Sequence, residues 1–367
     1  MSSIADRVRQ LIETSGLSQH VFGRRIGLDD SKLSKSLGGT RRFSSLDLAR
    51  IADEFKVSVD WLITGEEPPL AVAARTTTGQ TGEALDIARR YSTMRTDLAA
   101  LGYQPPWVPP DVDLRFGSYL DRARRLADFA HAKLRKENLS ILDRDLLDLA
   151  ENVFGVDVAL VELGTGFDGL AVSSEEVKLI VLATTRVPAR QRFTLAHELG
   201  HLMARDDQAV HVDRDVFDKA QSREPSELQA NAFASAFLMP EALLRERLKQ
   251  GGLSEKTFAE LACDLRVSPS SLAIRLSQLR IIDSGGADRY KRMTGADAAR
   301  LAGKGEWYAR WVTETGTPRP PGLLLRDTYS AYETGQATLR PYANLLGEDV
   351  DSLRAALESD EGTPAAL

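Results

Sequence analysis

Arg192-Phe193-Thr194-Leu195-Ala196-His197-Glu198-Leu199-Gly200-His201-Leu202-Met203 contains the pattern His-Glu-x-x-His. Its apolar residues recur at helical intervals, so the stretch predicts a half-buried helix. Residues four apart share one helix face, which lets the imidazoles of His197 and His201 reach a single cation. Glu198 then stands where it can act as general base on a water at that cation. The chain has only five His in 367 residues, so the pattern is a rare one for this composition. Two ordinary histidines on a helix would also produce it. A third ligand separates the two readings.

A catalytic zinc site takes three protein ligands and leaves one position open. Extension of the motif to His-x-x-Gly-x-x-His is disfavoured, because Ala204 stands at the glycine position and Asp207 at the last histidine. The other option is a Glu on a second, packed helix. Glu227-Leu228-Gln229-Ala230-Asn231-Ala232-Phe233-Ala234-Ser235-Ala236-Phe237-Leu238-Met239-Pro240 offers one, with Glu227 and Asn231 on the same face. Phe233, Phe237 and the small alanines suit close packing, and Pro225 and Pro240 delimit the helix. Asn231 is placed to hydrogen-bond the second nitrogen of a ligating His and so fix its tautomer. His211, Asp213 and Asp215 are rival ligands, although their irregular polar setting reads more readily as solvated loop.

These two linked stretches, in this order, resemble the ImmA/IrrE family of zinc-dependent metallopeptidases. The resemblance covers residues 113–282. It implies His197, His201 and Glu227 as ligands of Zn2+ and Glu198 as the catalytic base. Members of that family often carry a second acidic residue two positions before the Asn, where this chain has Gln229.

Composition sets the bounds. The length suits two or three domains, and 43% apolar with 27% charged residues is ordinary for a soluble globular chain. A net charge of −6 gives no global nucleic-acid signature, so any DNA contact must come from a local basic surface. Cys263 is the only cysteine, which excludes an intramolecular disulfide and fits a reducing compartment. With no membrane-length apolar run and no apolar leader at the start, the expectation is a cytoplasmic protein without membrane contact.

Residues 1–66 read as five short helices: about Ile4 to Ser15, one from Ser18, one capped by Asp29 or Asp30, one from Ser44 or Ser45, and one from Ser58 to Gly65. Leu17-Ser18-Gln19, Gly27, Leu33-Ser34-Lys35 and Val57-Ser58-Val59-Asp60-Trp61-Leu62-Ile63-Thr64-Gly65 resemble the helix-turn-helix domain of the lambda-repressor and Cro type. The resemblance puts the third helix in the major groove of double-stranded DNA. Asp30, Ser31 and Lys35 match base-reading positions, while Gln19, Lys32, Thr40, Arg41 and Arg42 fall near phosphates or groove edges. Ten basic and eight acidic residues within positions 1–65 leave a balance of only +2, although the basic ones cluster at 32–42. The adjacent Asp29-Asp30 keeps open a helical interaction module that does not bind DNA.

Residues 67–112 read as a linker with one helix, about Glu83 to Leu101, ending in the stop Pro105-Pro106-Trp107-Val108-Pro109-Pro110. A catalytic fragment beginning near Asp111 would then be separable. Further on, Val156–Glu162, Gly169–Val172 and Lys178–Leu182 predict strands of a small sheet, whose edge could hold an extended peptide or serve only as support. Ser254–Ile282 has a second helix-turn-helix rhythm, better explained by packing or substrate positioning than by nucleic acid. Residues 283–367 form a helical C-terminal region without a chemical motif.

The predicted fold is therefore multidomain and mainly α. A five-helix domain precedes an α+β zincin-like peptidase domain at 113–282 and the helical C-terminal region. The two resemblances together imply a transcription regulator that joins DNA binding to a zinc endopeptidase. The substrate they imply is a protein, a helix-turn-helix repressor above all, and they allow a homodimer. The competing reading is a non-catalytic regulator or antitoxin-like protein whose zinc fold is a sensor or interaction module. The intact Glu198 argues against it, since a structural metal site needs no base.

Overall fold

A computed structural model describes residues 3–55, 57, 59–64, 80–163, 167–204, 210–213, 225–249 and 252–360. The chain divides into two compact units, Met1–Thr78 and Gly79–Leu367.

The first unit holds five helices: α1 (Ile4–Ser15), α2 (Gln19–Arg25), α3 (Asp30–Leu37), α4 (Ser45–Phe55) and α5 (Val59–Thr64). Side-chain caps set four of their starts, Ser44 accepting from the Asp47 N–H at the head of α4. Ser3 and Asp6 form a reciprocal capping box on α1, Ser18 accepts from the Val21 N–H, and Asp29 accepts from the Lys32 N–H. Val8, Phe22, Ile26, Leu33, Ile51 and Leu62 meet in a common core, with the Phe22 and Phe55 rings stacked 4.2 Å apart. Buried Arg7 ties α1 to α5, donating from Nε to the Leu62 carbonyl at 3.0 Å and from Nη2 to the Ile63 carbonyl at 2.7 Å.

The second unit opens with α6 (Gln80–Ala100), followed by α7 (Tyr119–Lys136) and α8 (Leu146–Asn152). Strands β1 (Asp157–Val161), β2 (Gly169–Ser173) and β3 (Lys178–Ala183) lead into α9 (Pro188–Ala204), which carries the His-Glu-x-x-His pattern. Strand β4 (Val210–Asp213) and helix α10 (Pro225–Leu238) come next. The sheet order is β1-β3-β2-β4, with β1 parallel to β3 and β2 antiparallel to both β3 and β4. Every residue of β1 is buried, and β2 and β3 are buried along nearly their whole length, which explains their near-continuous apolar sequence.

Strand β4 corrects one expectation. The stretch holding His211 and Asp213 is not an irregular loop. It pairs with β2 in the register Ala171↔His211 and Leu170↔Val212, so the backbone groups on its β2 side are satisfied by the sheet. The polar alternates in Val210-His211-Val212-Asp213 hid this strand, because a four-residue run is too short to show period-two alternation clearly. Asp215, the Gly164–Gly166 turn and most of the Thr/Gly-rich stretch 76–82 lie outside the described residues.

Helices α11 (Glu241–Lys249), α12 (Glu255–Asp264) and α13 (Pro269–Gln278) extend the core around Phe233, Phe237 and Phe258. The C-terminal region contributes α14 (Ser284–Tyr290), α15 (Gly295–Leu301), α16 (Gly305–Thr315), α17 (Gly322–Glu333), α18 (Arg340–Leu346) and α19 (Val350–Asp360). It is joined to the sheet by specific polar bonds. Arg319 and Leu160 exchange two backbone hydrogen bonds on the outer edge of β1. Gln191 of α9 donates to the carbonyls of Ala183 and Thr315.

Helix α6 is held in the same way. Arg95 is fully buried, pairing bidentately with Asp157 of β1 at 2.7 and 2.8 Å and with Asp327 of α17 at 2.7 Å. The proline-rich segment after α6 crosses the turn that follows α8. Gly155 has φ +74°, and a Cβ there would meet the backbone of Pro106 and Trp107 at 2.6 Å, so only glycine fits. The helix read as part of a linker is thus built into the second unit.

Candidate metal centre

Helix α9 is buried almost throughout, and its inner face meets α10. Gly200 makes the approach close: a Cβ there would sit 2.8 Å from the Phe233 ring and 3.4 Å from the Ala230 Cα. This contact brings Glu227 to the two histidines. His197 is 0% exposed, Glu198 0%, His201 3% and Glu227 6%, so all four are out of solvent.

The ligand atoms converge. His197 Nε2 is 3.3 Å from Glu227 Oε2, His201 Nε2 is 3.4 Å from Glu227 Oε1, and the two Nε2 atoms are 3.0 Å apart. One donor atom from each residue lies within 4.8 Å of the others, and among the described residues this is the group of His and carboxylate side chains able to hold a metal ion. Asn231 Oδ1 lies 3.1 Å from His197 Nδ1. Donation by Nδ1–H to that oxygen leaves the Nε2 lone pair facing the centre.

This donor set fits a divalent cation. Two imidazole lone pairs and a carboxylate directed at one point repel one another unless positive charge lies among them. Two nitrogens and one carboxylate oxygen also match a three-ligand catalytic site with an open fourth position. Glu198 is aimed toward β2, where a Cβ on Gly169 would come within 3.0 Å of its Oε1 and 2.9 Å of the Thr194 methyl. Glycine at 169 therefore leaves room for the carboxylate. Nothing in the local sequence marks that glycine.

The remaining predicted residues are placed as follows. Arg192 does not face the centre: it is buried on α9 and donates from Nη2 to the Ile141 carbonyl at 3.3 Å, and burial pushes its pKa down to about 10. In the first unit Gln19, Asp30, Ser31, Lys32, Lys35, Thr40 and Arg42 are exposed. Asp30 pairs with His20 at 2.8 Å and Lys32 with Asp29 at 3.1 Å. Arg41 is turned inward, donating to Ser36 Oγ and Asp47 Oδ2, both at 2.8 Å.

The mixed sheet and the buried His-His-Glu centre define a metallopeptidase-like domain. Residues 151–277 match the Peptidase_M78 family, described as the IrrE N-terminal-like domain. The chain is similar to the radiation response metalloprotease IrrE of Deinococcus radiodurans, with 34% identity over 41% of this chain and 47% of that protein. Its counterpart in Deinococcus deserti shows 29% identity over 50% of this chain and 69% of that protein. This chain thus spans about half the length of the first of these relatives. The propionyl-CoA carboxylase regulator of Cereibacter sphaeroides is 25% identical over 96% of this chain and 87% of that protein. These likenesses support a metalloprotease domain, in keeping with a His-His-Glu group that could hold a metal ion. No helix among the described residues is long and apolar enough to cross a membrane.

Proposed function

We propose that this chain is a transcription regulator in which a DNA-binding helix-turn-helix unit is joined to a zinc endopeptidase that cleaves a regulatory protein. The convergence of His197, His201 and Glu227, with Glu198 one residue from the first histidine, carries the peptidase half of this reading. Zinc held by these three side chains would supply Lewis acidity toward the scissile carbonyl and the attacking water. Glu198 accepts the proton of that water at its carboxylate and passes it to the leaving amine. Asn231 keeps His197 in the ligating tautomer. Strand β4, at one edge of the sheet, offers main-chain groups to an extended substrate.

The regulator half rests on the N-terminal helices, whose exposed Lys35, Arg42 and Gln19 suit a duplex. Similarity to a named regulator along nearly the whole chain supports it further. A helix-turn-helix repressor is the substrate class we favour, since a peptidase carrying its own DNA-binding unit would act where such repressors sit.

The test is a matched pair of variants. Glu198→Gln should retain one zinc per chain and lose cleavage, whereas His197→Ala or His201→Ala should lose both. A protein shortened in cells that express the wild type, and left intact with Glu198→Gln, identifies the substrate. Cleavage by Glu198→Gln at the wild-type rate overturns the mechanism.

A further inference from the structure

A second concave site lies away from the metal centre, between α6 and the α17–α18 region. Its cavity is about 550 Å³, within the roughly 300–1,000 Å³ typical of small-molecule sites. Met94, Leu98 and Leu101 of α6 and its continuation, with Ala337 opposite, make the lining largely apolar. Leu101 is 42% exposed, an apolar surface left to water.

Charge gives the site its chemistry. Arg90 and Arg340 both line the cavity and are both exposed, and among the described residues neither makes an ion pair. Arg89, also in the lining, is paired with Asp86 at 3.2 Å. Asp97 is the one carboxylate in the lining, so two unpaired guanidinium groups face an apolar groove against a single negative charge. We propose that this groove binds a small amphipathic anion, an apolar body ending in a carboxylate or an equivalent negative group. The anion lies between Arg90 and Arg340, where charge-assisted hydrogen bonds are strongest, and the body covers Met94, Leu98 and Leu101.

The groove also touches the clamp that holds α6. Met94 precedes Arg95, and Thr328, which lines the groove, follows Asp327. An occupant spans both partners of that ion pair and braces α6 against α17, the helix that Arg95 links to β1. Binding at this site does not depend on the peptidase reading.

The probe is decanoate below its micelle concentration, titrated calorimetrically into the full chain, with decanol as the uncharged control. Saturable binding at one site per chain is expected, with decanol about tenfold weaker or worse. The double variant Arg90→Glu, Arg340→Glu should lower decanoate affinity by about tenfold, and Arg90→Lys, Arg340→Lys should keep most of it. Circular dichroism confirms that each variant is folded, and Leu101→Asp gives an independent loss through the apolar side. Equal affinities for decanoate and decanol, or charge reversal without effect, overturn the proposal. So does loss of binding on dimerisation at higher protein concentration, which would make the groove an interface between copies.

Discussion

Gly200 shows how much a single missing methyl group decides. The Phe233 ring occupies the space a Cβ would need, and the interhelical contact it permits carries Glu227 to His197 and His201. Gly200→Ala should therefore lower stability by about 1–3 kcal/mol and weaken metal retention, read by thermal unfolding and metal content of the same sample. Arg41 shows a second role for a residue read as a phosphate contact, because its half-buried guanidinium also ties two helices together. It bridges Ser36 and Asp47, so Arg41→Ala should destabilise the first unit, whereas on the DNA-binding reading Arg42→Ala should leave folding intact and reduce the salt slope of duplex binding by about one. Burial pushes the Asp47 carboxyl up, but the Ser44 N–H and the Arg41 guanidinium outweigh it and the net shift is downward. The stabilisation is thus present above the ordinary value near 3.8 and is lost as pH falls through the lower folded value. An acid titration of unfolding compared with Asp47→Asn checks the sign. The metal-binding pattern on α9 was legible in the sequence because its spacing is local. The Gly169 clearance was not, since it is defined by Thr194 and Glu198, which approach only when the sheet and α9 pack.

At the scale of elements, α6 is the instructive case. Its sequence offers Arg89, Arg90 and Arg95 on an otherwise unremarked helix, and nothing local separates the buried one from the others. The partners of Arg95 lie 62 and 232 positions away, beyond any periodicity. By contrast, β1, β2 and β3 were visible as apolar runs bounded by turns, and α10 as an apolar helix between two prolines. Removing Arg95 leaves Asp157 buried without its counter-charge and Asp327 with Arg326 alone, a loss of about 3–5 kcal/mol in comparable buried pairs. A fragment from residue 79 should therefore fold and take up zinc, while one from Asp111 should be aggregated or metal-poor. Equal metal content in the two fragments would show that the clamp is dispensable.

The whole chain joins two compact units whose cores are built from separate sets of side chains. The boundary falls after residue 78, inside a composition shift that begins earlier and continues through the proline stretch, so no local signal marks it. The outer edge of β1 has one further consequence. Arg319 takes the N–H and carbonyl of Leu160, so at that residue the outer edge of β1 is hydrogen-bonded to the molecule's own C-terminal region. Open-ended strand stacking needs two receptive margins on every molecule, one to accept and one to offer. Here the far margin is interrupted at Leu160, so a chain added beside β4 meets no uninterrupted edge there from which to recruit the next. A sheet with one margin interrupted in this way resists becoming the seed of a fibre, whatever pairs with β4.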